Sequence, residues 1–165
     1  MSFRYYLVRY DLSILDKLEK IHRDGNEISL EFLLQEEKES VNELGDFPDS
    51  DLLDILCQVS KFEFKDEEGS PIISIDEEGL KIIINRYIEN IIKNYKTILL
   101  KEEGKLREWV ESCLFRWETL GSVVNLKHTT KHMSDSCLLE HDIFNLLMTL
   151  KTFDFSRNYL VLLGW

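Results

Sequence analysis

Apolar residues recur along the chain with two spacings, every second residue in some stretches and every third or fourth in others. The alternation from Phe3 to Tyr10 predicts a strand with two usable faces. Ser13 and Asp16 then form a capping pattern, apolar residues follow at helical spacing, and Gly25 is suited to end that helix. The chain is therefore expected to open with a strand and a short helix.

The stretch 27–44 fits two alternatives. Ile28, Leu30 and Phe32 alternate as in a strand, whereas the leucines and glutamates that follow suit a helix. We favour a helix that begins near Ser29 and continues through the glutamates.

The rest of the chain is dominated by helical spacing. Beyond residue 44 the pattern predicts a short helix over 52–59, a hairpin over 62–75, helices over 80–98, 106–120 and 139–150, and a buried closing strand over 159–163. Asp66–Gly69 supplies the hairpin turn, and Ser74 with Glu77 offers a capping box for the long helix. The expected fold is α-rich α+β, with helices packed on a small sheet formed by the N-terminal strand, the central hairpin and the C-terminal strand.

Length and composition place the chain among ordinary globular domains. Its 165 residues are 44% hydrophobic and 31% charged, enough apolar mass for one core, and no Pro/Gly/Ser linker divides them. We therefore expect a single domain over residues 1–165. No run of 18 apolar residues occurs, and the first ten residues lack the features of a leader, so a cytoplasmic protein without a membrane partner is expected. Three scattered cysteines argue against a disulfide framework.

Negative charge is concentrated in one third of the chain. The formal net charge is −11, but the segment Asp24–Glu78 alone carries eighteen acidic and three basic residues, a net of −15. Such a field repels phosphate and attracts a cationic surface, which excludes direct nucleic-acid binding and favours a basic protein partner. The residues expected to bind that partner are Glu36, Glu37, Glu39, Glu43, Asp46, Asp49, Asp51, Asp66, Glu67 and Glu68.

One group of residues has the chemistry of a metal site. His128 and His132 are four residues apart, and Cys137 and His141 follow; zinc accepts such nitrogen and sulfur ligands. The glutamate that a zinc protease places after its first histidine is Thr129 here, and no paired cysteines occur. Nucleophile elbows and glycine-rich phosphate loops are also absent from the sequence. We assign no catalytic residue, no metal ligand and no cofactor.

The closing residues resemble those of a known class of protein. Leu150–Phe155, Tyr159–Val161 and Gly164–Trp165 are similar to the ends of small bacterial immunity proteins that neutralise polymorphic or contact-dependent toxins. The resemblance spans about sixteen residues and transfers no functional residue. It implies a cytoplasmic protein that binds a cognate toxin domain, often a nuclease, and blocks its active or substrate-binding surface.

Three functions are compatible with these patterns. The leading one is a non-enzymatic acidic inhibitor that binds a basic toxin domain. The first alternative is a metal-dependent hydrolase, or a metal-stabilised domain, that uses His128, His132 and His141. The second is a mobile-element protein that mimics nucleic acid; it shares the acidic surface and differs in partner.

Overall fold

A computed structural model describes residues 4–44, 50–95 and 138–164 of the chain. The strands are β1 (Tyr5–Asp11), β2 (Glu39–Leu44), β3 (Glu63–Lys65), β4 (Pro71–Ile75) and β5 (Asn158–Gly164). The helices are α1 (Ile14–Arg23), α2 (Leu30–Glu36), α3 (Ser50–Val59), α4 (Glu77–Tyr95) and α5 (Leu138–Thr152). The expected α+β fold is confirmed.

The strands form one antiparallel sheet in the order β2-β1-β5-β4-β3. The N-terminal and C-terminal strands are neighbours at its centre, with Tyr5 opposite Gly164 and Asp11 opposite Asn158. The predicted hairpin is β3–β4, and the predicted closing strand is β5. Because β5 is central, its residues from Leu160 to Gly164 are buried on both faces, as its continuous apolar run indicated.

One face of the sheet packs against α1, α2 and the residue Ile28. Val8 and Tyr10 of β1 and Val161 of β5 meet Leu18 of α1 in this cluster, and each of them is at most 1% exposed. Each such side chain contributes up to about 1.5–3 kcal/mol before chain ordering is counted. On the other face, where alternate strand residues point, α3 contacts β4.

The strand β2 differs from the sequence prediction. The helix expected from Ser29 is confirmed as α2, but it ends at Glu36, and the residues after it pair with β1. The pairing skips Val41 between Leu7 and Val8 of β1, so β2 carries a β-bulge. The strand's buried positions are Asn42 and Leu44, and a polar residue at one of them hides the alternation that marks a strand.

The capping roles predicted for Ser13 and Ser74 are wrong. Ser29, near which the sequence predicts the start of a helix, caps α2, since its hydroxyl accepts a hydrogen bond from the Phe32 backbone N–H at 3.2 Å. Ser13 makes no side-chain cap at α1. Ser74 lies within β4, and the residue that caps α4 is Asp76, whose Oδ1 accepts from the Gly79 N–H at 2.8 Å. Gly25 follows α1 with a φ of +73°, as expected of a glycine that ends a helix.

The chain divides into two compact units. The first is Met1–Leu80 with Phe153–Trp165 and contains the sheet; the second is Lys81–Thr152 and contains most of α4 and all of α5. In the second unit, Ile83, Ile84 and Leu146 are fully buried. Helix α4 agrees with the predicted long helix up to Tyr95, and the helix predicted over 106–120 lies outside the described residues. The single domain stays a prediction.

The length and polarity of the helices determine whether any of them could cross a membrane. Within the described part of the chain, no helix has the combination of length and apolar character that crossing a bilayer requires.

Candidate acidic interaction surface

The β3–β4 turn lies against the residues that lead into α2. The Glu67 backbone N–H donates to the Ile28 carbonyl oxygen at 3.0 Å, and Ile28 and Asp66 form an isolated parallel bridge. The Glu67 carboxylate also accepts from the Leu30 N–H, at 3.5 Å. These contacts join two segments that are nearly forty residues apart in the sequence.

This contact brings four exposed carboxylates onto one part of the first unit. Glu27 and Glu31 lie on either side of Ile28 and Leu30, which contact the turn, and Glu67 and Glu68 belong to the turn itself. In the described residues none of the four belongs to an ion pair, and Lys65, which precedes the turn, is exposed and pairs with none of them. We call Glu27, Glu31, Glu67 and Glu68 the acidic surface.

Asp66, in the same turn, has a structural role. Its Oδ1 accepts from the Glu68 N–H at 2.9 Å and from the Ser70 N–H at 2.7 Å, and the side chain is half-buried. Gly69, with a φ of +83°, permits the reversal that brings Ser70 back to this oxygen. Asp66 therefore stabilises the turn on which the exposed carboxylates of Glu67 and Glu68 lie.

Three other predicted binding residues are compensated by the chain's own cations. Arg4, just before β1, pairs with Glu43 of β2 at 2.6 Å, and Arg9 of β1 pairs with Glu39 of β2 at 3.3 Å. Lys17 of α1 pairs with Glu36 of α2. The Glu43 carboxylate raises the pKa of the Arg4 guanidinium, chiefly through their hydrogen bond. These three carboxylates project less net field than their number in the sequence suggests. We call Glu36, Glu39 and Glu43 the paired trio.

The remaining predicted residues belong to neither the acidic surface nor the paired trio. Asp51 is exposed in the first turn of α3, and Glu37 follows α2, half-buried and without an ion pair in the described structure. Asp46 and Asp49 lie outside the described residues. The binding role of all ten stays a prediction.

Sequence reasoning did not single out Glu27 and Glu31. No local signal marks them, because they join the turn only through the long-range contact at Ile28. The pairing of a turn with a distant segment is a tertiary property that spacing along the chain does not encode.

A shallow depression lies where β4 ends and β5 begins. It is lined by Lys61, Ser74, Ile75, Asp76, Phe155, Asn158 and Tyr159. Its polar groups are engaged in holding the fold: the Ser74 hydroxyl accepts from the backbone N–H groups of Lys61 and Phe62, and the Lys61 ammonium lies 5.7 Å from the centre of the Tyr159 ring. The depression therefore gives no grouping of a nucleophile with a base.

The cysteine within the described residues is Cys57 of α3. Burial raises the pKa of its thiol to about 11, and the nearby Glu63 carboxylate acts in the same direction. The thiolate is thus disfavoured at neutral pH, as expected for a cysteine in an apolar setting. Cys113 and Cys137 lie outside the described residues.

The candidate metal ligands fall largely outside the described chain. His128, His132 and Cys137 are not described, and His141 enters only as a backbone position in α5. Among the side chains that are described, no group of three or more His, Cys, Asp or Glu residues is arranged to hold a metal ion.

Comparison with known proteins adds no relative from which a function can be transferred. No model of a protein family, no curated protein and no solved structure matches the chain. The interpretation of the acidic surface therefore depends on its own geometry and charge.

Proposed function

We propose that the protein is a non-enzymatic inhibitor that binds a basic protein domain through the acidic surface. The partner that suits the resemblance of the closing residues is a bacterial toxin domain, and a nuclease fits best because its phosphate-binding groove is cationic. Binding would cover that groove and exclude the substrate.

One observation carries the proposal. The contact of the β3–β4 turn with Ile28 gathers Glu27, Glu31, Glu67 and Glu68, all exposed and outside every ion pair of the described residues. Carboxylates left unpaired beside one another repel, whereas the paired trio elsewhere in the same segment is compensated. A cationic partner relieves this repulsion and is attracted from a distance, so the surface favours fast association.

The test measures association of the purified chain with purified basic nuclease domains of bacterial toxins, beginning with any that is encoded beside its gene. Stopped-flow rates at about 20 and 200 mM salt report electrostatic attraction, since the Debye length falls below about 10 Å over this range. We expect the rate to fall at least ten-fold with added salt and the complex to lose nuclease activity.

A matched pair of triple variants locates the contact. Glu27→Gln, Glu31→Gln and Glu68→Gln together remove three charges from the acidic surface. Glu36→Gln, Glu39→Gln and Glu43→Gln together remove the same number from the paired trio. We expect only the first triple to slow association, by about ten-fold. Equal slowing by both triples, a rate that does not depend on salt, or full nuclease activity in the complex would contradict the proposal.

A further inference from the structure

An exposed leucine lies next to the acidic surface, on the outer side of α2. The Leu34 side chain is 51% exposed, although Leu33 before it is 1% exposed and faces the core. Leu30, one turn earlier, is half-buried, and residues four apart share a helix face. Leu30 and Leu34 therefore form a short apolar row at the surface.

Two carboxylates lie beside this row. Glu31 is three residues before Leu34 and is therefore its neighbour on the helix surface, and the Glu67 carboxylate accepts a hydrogen bond from the Leu30 N–H at the beginning of the row. Neither belongs to an ion pair in the part of the chain that is described. Glu31 is held in place by the Gln35 side-chain amide, which donates to it at 3.1 Å.

The two sides of α2 differ in charge compensation. Glu36, on the side that faces α1, pairs with Lys17, whereas Glu31, beside the exposed leucine, has no cation partner in the described residues. A leucine with an uncompensated acidic border has the layout of an interface, apolar at the centre and charged at the rim. A single exposed leucine needs no explanation by itself, and it is this border that specifies a partner.

We infer that Leu34 is the apolar anchor of the docking site, and that its occupant is a basic protein surface with an apolar side chain among its lysines or arginines. The inference rests on the proposed function and refines it: charge brings the partner to the acidic surface, and contact with Leu34 holds it. Dissociation should therefore depend on Leu34, and association on the carboxylates.

Two synthetic peptides of equal charge test the inference. One contains six lysines alone, and the other contains six lysines interspersed with leucines. Backbone amide shifts of the ¹⁵N-labelled chain, titrated with each peptide, give the affinity and the location of binding. We expect the leucine-bearing peptide to bind about five-fold more tightly, because it buries part of Leu34, and to shift the amides of residues 30–35 and 67.

The control uses a second exposed leucine outside this surface. Leu12, in the turn after β1, is 43% exposed. We expect Leu34→Ser to abolish the five-fold preference and Leu12→Ser to preserve it. Equal affinities of the two peptides for the unaltered chain, or equal effects of the two substitutions, would overturn the role of Leu34 while leaving acidic docking intact. If neither peptide binds, both the inference and the proposed function fail.

Discussion

At the residue scale, Ser74 shows how one polar side chain organises a buried strand. It is 3% exposed, faces the same side of the sheet as Ile72, and accepts from the Lys61 N–H at 2.7 Å and the Phe62 N–H at 3.0 Å. The sequence suggested a helix cap for this serine. Its actual role could not be predicted, because both donors lie just before β3, more than ten residues away in the sequence, and local spacing does not report them.

Replacing Ser74 should lower the free energy of unfolding by more than the small size of the serine side chain suggests. Ser74→Ala removes the acceptor of two backbone N–H groups, one of them buried, and leaving buried donors unpaired costs about 1–3 kcal/mol. Urea unfolding would measure the free energy. Ser60→Ala is the matched control, because among the described residues the Ser60 hydroxyl only donates, to the Cys57 carbonyl oxygen. Its loss therefore leaves no backbone N–H of these residues without an acceptor. Similar losses in the two variants would contradict this role.

Tyr10 should make stability sensitive to alkaline pH. Burial raises the pKa of its phenol above the usual value, which is near 10, and its hydroxyl donates to the Leu33 carbonyl at 2.9 Å. The unfolded chain ionises this tyrosine first, so its contribution is present below about pH 10 and is lost as the pH rises further.

Tyr10→Phe isolates that contribution. At pH 7 the variant should lose about 1 kcal/mol with the hydrogen bond to Leu33. Between pH 9 and 11 its free energy of unfolding should fall less steeply than that of the unaltered chain, whereas Cys57, whose pKa is also raised by burial, affects both proteins equally. Parallel pH profiles in chemical denaturation would show that Tyr10 does not carry the effect.

At the element scale, elements whose apolar pattern is local could be predicted from the sequence, whereas an element that depends on a distant partner could not. The central strands β1 and β5 and the helix α4 have long, regular apolar patterns, and these appear in the structure. Strand β2 has only Val41 and Leu44 as apolar residues and exists because β1 offers it a partner. Its pairing, like the contact of the turn with Ile28, depends on residues more than twenty positions away.

The β3–β4 turn should lose its order when Asp66 is shortened. Asp66→Ala removes the oxygen that accepts from the Glu68 and Ser70 N–H groups, and we expect a loss of about 1–2 kcal/mol with faster hydrogen exchange at both amides. Asp66→Asn removes the same charge but keeps an amide oxygen, so it should retain most of the protection. Equal exchange in the two variants would indicate that charge, rather than the two hydrogen bonds, orders the turn.

At the scale of the whole molecule, the sequence predicts how much charge there is but not how it is compensated. The net charge of −11 and the concentration of acidic residues in Asp24–Glu78 are readable directly. Which carboxylates remain uncompensated depends on the fold, since Arg4, Arg9 and Lys17 all precede that segment in the sequence. Of the ten residues predicted to bind a partner, Glu67 and Glu68 belong to the acidic surface, whereas Glu36, Glu39 and Glu43 are compensated by cations of the chain.

This division of charge should be measurable as a difference in stability without any partner. Glutamines at Glu27, Glu31 and Glu68 relieve repulsion, whereas glutamines at the paired trio remove three attractions to neighbouring cations. Interactions between exposed charges contribute little to the free energy of unfolding, and salt screens them. In about 20 mM salt we expect the first triple to unfold at a higher urea concentration than the second, although the two carry the same net charge. In about 1 M salt, where the Debye length is near 3 Å, this difference should largely disappear. Equal stability at low salt would mean that the carboxylates of the acidic surface are no more repulsive than those of the paired trio, and the electrostatic basis for docking would then be lost.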